Sequence, residues 1–169
     1  MGPSITILLP YEPDASDFAA LDDLAKTLGS SNTSAADFHV ETTIPIGGTV
    51  EAGEGGRPLV AGFEDPLFEE GEGESLQSSF GFVPAAIISV GAMCNDRVDH
   101  RVLGELAVYL AQHFGGIIGF NGALGVARVV HGKLAEIRYE VEGRRLFAHV
   151  GDVAFMHGWL RDPAFHLVK

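Results

Sequence analysis

The stretch from Ala85 to Phe114 constrains the fold more than any other part of the chain. Ala85–Cys94 is continuous, apolar and rich in β-branched residues around Ile87, Ile88 and Val90, the composition of a fully buried central strand. Asn95 or Asp96 then caps a helix. Its apolar positions Val98, Val102, Leu103, Leu106, Ala107, Leu110 and Phe114 recur at helical spacing until Gly115–Gly116 ends it. A buried strand running straight into an amphipathic helix predicts a sheet with helices packed against it.

The remaining pattern decides what kind of sheet. Ser4–Leu9 reads as a strand ended by Pro10. Asp14 or Ser16 caps a helix carrying Phe18, Leu21, Leu24 and Leu28, with Asp17 in its first turn and Gly29 as its stop. Phe38, Val40, Thr42 and Ile44 alternate with His39, Glu41 and Thr43, as in a half-buried strand. Leu59–Phe63 and Ile117–Phe120 read as short strands, and Leu134–Val141 with Leu146–Val150 as a hairpin turning near Gly143. Asp152 caps a helix with Val153, Met156, Trp159 and Leu160; Asp162–Pro163 stops it, and Phe165–Val168 reads as a final strand. Strands and helices do not alternate strictly, which argues against a parallel doubly wound sheet. The expectation is a single α+β domain over residues 1–169, an antiparallel or mixed β-sheet with about three helices packed on it.

Charge divides the chain unevenly. Residues 1–75 hold two basic residues, Lys26 and Arg57, against fifteen acidic ones, a net of −13, whereas residues 76–169 hold nine basic and eight acidic. Basic residues this few and scattered exclude a general nucleic-acid binder, and the acidity argues against docking on an anionic membrane. No secretory signal is visible, no apolar run is long enough to span a bilayer, and the single cysteine, Cys94, fits a reducing compartment, so a cytoplasmic location is expected.

Few residue sets suggest chemistry. Cys94 lies just before a helix N-terminus with His100 downstream, the ingredients of an activated thiol, and also of a small apolar side chain ending a buried strand. His149, Asp152, His157 and His166 lack the spacing of a metal site. Asp99, His100, Arg101 and Glu105 read as a solvated helix face with an i,i+4 ion pair. The glycines of Gly47–Gly56 lack a phosphate-loop pattern, and Glu51 and Glu54 would repel an anion. No catalytic residue, metal ligand or cofactor site is assigned.

An acidic, Gly-rich loop or insertion at about residues 45–80 remains. Glu64–Ser79 has little to bury and is expected to be mobile in the free protein. Within it Phe63, Leu67 and Phe68 interleave with Glu64, Asp65, Glu69, Glu70, Glu72 and Glu74. Apolar anchors within an acidic rim suit an interface with a basic protein, where burial gives affinity and charge gives steering. These nine residues are the expected partner-binding set.

Asp99–Leu124 (DHRVLGELAVYLAQHFGGIIGFNGAL) and His149–Lys169 (HVGDVAFMHGWLRDPAFHLVK) resemble a family of small acidic bacterial proteins of unassigned function, typified in actinobacteria. Members of that kind look similar to immunity proteins that neutralise polymorphic or contact-dependent toxins. The likeness covers mainly residues 85–169 and the opening strand, leaves residues 45–80 unmatched, and transfers no active-site residue. It implies a non-enzymatic protein that inhibits a cognate toxin enzyme by covering its basic active site. Two alternatives share the sequence: a small cysteine-dependent enzyme using Cys94, and an acidic nucleic-acid mimic or adaptor.

Overall fold

In a computed structural model, residues 2–29, 37–53, 55–125 and 131–168 are described. They form one seven-stranded antiparallel sheet with four α-helices. In chain order the elements are β1 (Ser4–Leu9), α1 (Ala15–Leu28), β2 (Phe38–Val40), β3 (Arg57–Glu64), α2 (Glu72–Phe80), β4 (Ala86–Ala92), α3 (Arg97–His113), β5 (Ile117–Gly119), β6 (Leu134–Val141), β7 (Arg144–Gly151) and α4 (Val153–Leu160). The strand order is β2-β3-β4-β1-β5-β7-β6. The α+β expectation holds, with one helix more than the sequence suggested.

The opening strand is the middle of the sheet. Ile7 sits opposite Ile88 on one side and Ile118 on the other. All three are fully buried, on the face that carries α1, α3 and α4. Leu8, one residue on, points to the opposite face, where Leu76 of α2 meets Ile137 and Val150. The sheet is therefore packed on both faces, with the α2 cluster covering the part built from β1, β5, β7 and β6 and reaching β4 at Ile87. On β4 the second-face residues Ile87, Ser89 and Gly91 stay half-buried, so that strand is not covered on both sides as its apolar run implies.

The helix caps are those the sequence announces. Asp14 and Asp17 form a capping box on α1, with Asp14 accepting from the Ser16 and Asp17 amides. Asp96 and Asp99 form another on α3, and Asp152 accepts from the Phe155 amide at 2.7 Å on α4. The β6–β7 turn places Glu142 and Gly143 at φ 49° and 74°, the double positive φ of a type I′ hairpin.

Three expectations fail for local reasons. The strand beginning at Phe38 ends at Val40, because Ile44–Ile46 winds into a 3-10 turn around Pro45; beyond Val40 only Thr42 bridges, to Glu51. Phe165–Val168 is not a strand, because side chains take up part of its backbone: His166 carbonyl accepts from Trp159 Nε1, and the Leu167 amide donates to His100 Nδ1. Most important, Glu64–Ser79 is not an open loop. Its second half is α2, stabilised by carboxylates in the first turn and by Leu76, which is 1% exposed.

Candidate partner-binding site

Two carboxylates on α3, read as part of a solvated face, are buried. Asp99 is 0% exposed and takes Arg57 Nε at 2.6 Å and Nη2 at 2.7 Å, a bidentate pair; Asp96 takes the same Nη2 at 2.7 Å. Burial raises the Asp99 carboxyl, yet the hydrogen bonds from Arg57 and the Asp96 amide outweigh it and hold the group below its usual range. The same pairing raises the Arg57 guanidinium further. Glu105, 7% exposed, accepts from Thr43 Oγ1 (2.5 Å), the Thr49 amide (2.9 Å), Thr49 Oγ1 (2.7 Å) and Arg101 Nε (3.1 Å). Burial again raises its carboxyl, and these donors bring it down below the ordinary value. The two clusters tie β3 and the 43–50 loop to α3. Helical periodicity could not reveal them, because their partners lie far upstream in the sequence.

The other candidate chemistry does not assemble. Cys94 is exposed rather than buried at a strand end. The two ring nitrogens of His100 face Asn95 Oδ1 (3.2 Å) and the Leu167 amide (2.9 Å), so neither is directed at the Cys94 thiol. His149 Nδ1 accepts from the Leu124 amide at 2.7 Å, and Asp152 serves as a helix cap. His157 Nε2 faces Gln112, while His166 Nδ1 faces its own neighbour's carbonyl, that of Ala164. Among the described residues no group of His, Cys, Asp and Glu could hold a metal ion. Gly48 lies against Thr43 and the Glu105 carboxylate, so the glycine-rich loop wraps an anion of the protein itself.

The nine expected partner-binding residues divide into two sets. Phe68 packs on the second-face cluster of Leu8, Leu76, Ile137 and Val150, so its ring serves the fold. Glu72 accepts from the Glu69 amide at 3.1 Å, and burial pushes its carboxyl up. The Glu70 carbonyl accepts from the Glu140 amide at 3.0 Å, and Ser75 Oγ from the Arg138 amide at 3.1 Å. Residues 70–75 thereby cover the outer edge of β6, which would otherwise present unpaired amides to another chain. The side chains of Glu69, Glu70 and Glu74 remain exposed, and Leu67 is 92% exposed.

Phe63, Glu64 and Asp65 lie elsewhere, at the end of β3. There they meet Glu12, Pro13, Phe18, Ala85 and Ala86 around a cleft of about 640 Å³. Phe18 lies on the face of α1 that the helical pattern assigns to the core, yet it is 51% exposed. Its ring centroid is 4.7 Å from that of Phe63, which stands edge-on to Phe114 at 5.7 Å. Among the described residues no Lys or Arg lines this cleft. Glu12 and Phe18 were not legible as site residues, because the contact joins α1 to β3 and has no local pattern.

The acidic half has almost no cation of its own. Lys26 pairs with Asp23 at 2.9 Å on α1. Arg57 is turned towards Asp96 and Asp99, both beyond residue 75. Among the described residues Glu12, Glu64, Asp65, Glu70 and Glu74 make no ion pair. Also among the described residues, no helix is long and apolar enough to cross a membrane.

A family model described as a family of unknown function, DUF6368, matches residues 1–169, and the chain belongs to that family. No curated protein and no solved structure matches it.

Proposed function

We propose that this protein is a non-enzymatic, cytoplasmic binding protein that covers a basic site on another protein, and that the partner is a cognate bacterial toxin enzyme. The observation that carries the reading is the uncompensated acidity of residues 1–75. Both of that half's cations are engaged within the fold, one of them by the other half of the chain. The remaining carboxylates set up a field that attracts a basic surface and speeds encounter. Leu67 stands free among them and supplies apolar contact that salt does not screen. An enzyme that acts on nucleic acid is basic where it holds phosphates, so an acidic surface of this kind fits over such a site.

The test is capture from the native host with the tagged chain at about 0.5 M salt, where the Debye length is only a few ångströms, followed by assay of the captured protein. One stoichiometric partner, inhibited on binding and released by Leu67→Ser with Glu69→Gln and Glu70→Gln, supports the reading. These substitutions leave the backbone bonds of residues 70–75 in place, which a deletion of 64–74 would not. Recovery of many basic proteins at low salt and none at high salt favours a nucleic-acid mimic instead.

A further inference from the structure

We propose that the cleft between the start of α1 and the end of β3 is a receptor for one arginine side chain of the partner. This rests on the reading above and names its anchoring contact. The cleft has two parts that act on a planar cation in different ways. Its wall is the Phe18–Phe63 pair, with centroids 4.7 Å apart and Phe63 braced edge-on against the buried Phe114. Phe18 keeps half its surface open, although an apolar ring at that position gains more by burial. An aromatic face left open beside negative charge attracts cations through its quadrupole, and guanidinium, being planar and weakly hydrated, stacks on such a face more readily than ammonium. The rim is Glu12, Glu64 and Asp65, none of which has an ion-pair partner among the described residues.

Charge complementarity fixes the sign of the occupant. Among the described residues no cationic side chain lines the cleft, so an anion would be repelled and a neutral group would leave three carboxylates uncompensated. A guanidinium can hydrogen-bond two carboxylate oxygens at once while its plane lies on the ring. A volume of about 640 Å³ leaves room for the whole side chain and its neighbours on the partner backbone. Packing of Phe63 between Phe18 and Phe114 limits the ordering cost of binding on that side of the cleft, as expected of an anchor position.

The experiment is an NMR titration of the full ¹⁵N-labelled chain with N-acetyl-arginine methylamide, and with the citrulline and lysine analogues as probes of charge and shape. Saturable shifts confined to Glu12, Phe18 and Phe63–Asp65 are expected with arginine, with no saturation for citrulline and weaker binding for lysine. Phe18→Leu, and separately Glu64→Gln with Asp65→Asn, should each weaken arginine binding by about fivefold or more. Both sites are solvent-facing, and unchanged amide shifts elsewhere will show that the fold is intact. Equal shifts with citrulline, tighter binding of lysine, or wild-type affinity in Phe18→Leu would overturn the proposal. Such a failure leaves partner capture through Leu67 standing, because that side chain does not line the cleft. Conversely, arginine binding here without any captured partner would refute the partner reading alone.

Discussion

Replacing Glu105 by Gln should destabilise the protein by about 3 kcal/mol. The substitution keeps the shape of the side chain and changes only charge and one donor–acceptor polarity. Four donors converge on the native carboxylate, with Thr43 Oγ1 and the Thr49 amide on Oε2 and Thr49 Oγ1 and Arg101 Nε on Oε1. Hydrogen bonds to a charged group contribute roughly 1.5–3 kcal/mol each, against about 1 for a neutral one. An amide NH₂ at the Oε1 position would face the Arg101 N–H, two donors pointing at each other, although the Thr49 hydroxyl can rotate to accept. Losing the charge on the remaining bonds and one bond outright sums to about 3 kcal/mol, less any relaxation of Arg101 into solvent. With an m-value of about 2 kcal/mol/M, the urea midpoint should fall by about 1.5 M. The pH dependence gives a second readout. The folded-state pKa of Glu105 is depressed, so its contribution is full above the unfolded value of about 4.3 and is lost as pH falls towards the folded value. The gap between wild type and variant should therefore be constant at neutral pH and narrow below about pH 4.3. A midpoint drop of less than about 0.5 M would refute the idea that Glu105 latches the 43–50 loop to α3.

Asp99→Asn should cost about 3 kcal/mol by chemical denaturation, because it removes the fully buried member of a bidentate pair, with Asp96 left as a partial substitute for Arg57. Leu76→Ala should cost about 3 kcal/mol and raise hydrogen exchange at the Arg138 and Glu140 amides, which α2 and the segment before it cover; unchanged exchange there would show that Leu76 does not hold that segment down. His149, whose ring is held neutral by burial, should make the protein lose stability as pH falls below about 6.5, since its depressed folded pKa means that the unfolded chain binds the proton first. His149→Gln should flatten that part of the stability–pH curve, and an identical slope in the variant would assign it to another group.

How far the sequence could be read depended on the range of the forces involved. The Asp152 cap, the β6–β7 turn at Gly143 and the strand character of Ser4–Leu9 are fixed by neighbours in the chain and were legible, as were the caps of α1 and α3 to within Asp14 or Ser16 and Asn95 or Asp96; the central place of β1 in the sheet was not, because it depends on β4 and β5. The α2 helix was not. Its apolar content is Leu76 and Phe80, too sparse to set a period, and it is held by Leu8, Ile137 and Val150 from three different strands. The same blindness made Asp99 and Glu105 look solvated. An i,i+4 pair such as Arg101–Glu105 suggests an exposed face, and only the arrival of Thr43, Thr49 and Arg57 from upstream makes burial of those carboxylates tolerable. Phe63 was singled out as an aromatic among acidic residues, and it lies beside Glu12, Glu64 and Asp65, but its companion Phe18 was assigned to the core because helical spacing cannot tell a covered stripe from a partly open one.

The carboxylates fall into two classes, and the division bears on function. Asp14, Asp17, Asp96, Asp99, Glu105 and Asp152 each accept hydrogen bonds that cap a helix or join two elements, so their charge belongs to the fold. Glu12, Glu64, Asp65 and Glu70 do no such work in the described structure, and each adds repulsion to a half-chain whose two cations are already engaged. Solubility alone would be served by charges spread over the whole surface. Instead the unpaired acids flank Leu67, which gains nothing from the fold, and rim a cleft walled by Phe18 and Phe63. Surplus charge beside unburied apolar groups is the arrangement an interface requires, because a partner's cations relieve the repulsion while its apolar surface covers the exposed side chains. Neutralising the second class by Glu→Gln and Asp→Asn should leave stability unchanged or slightly raised and abolish partner binding. The same change in the first class should unfold the protein.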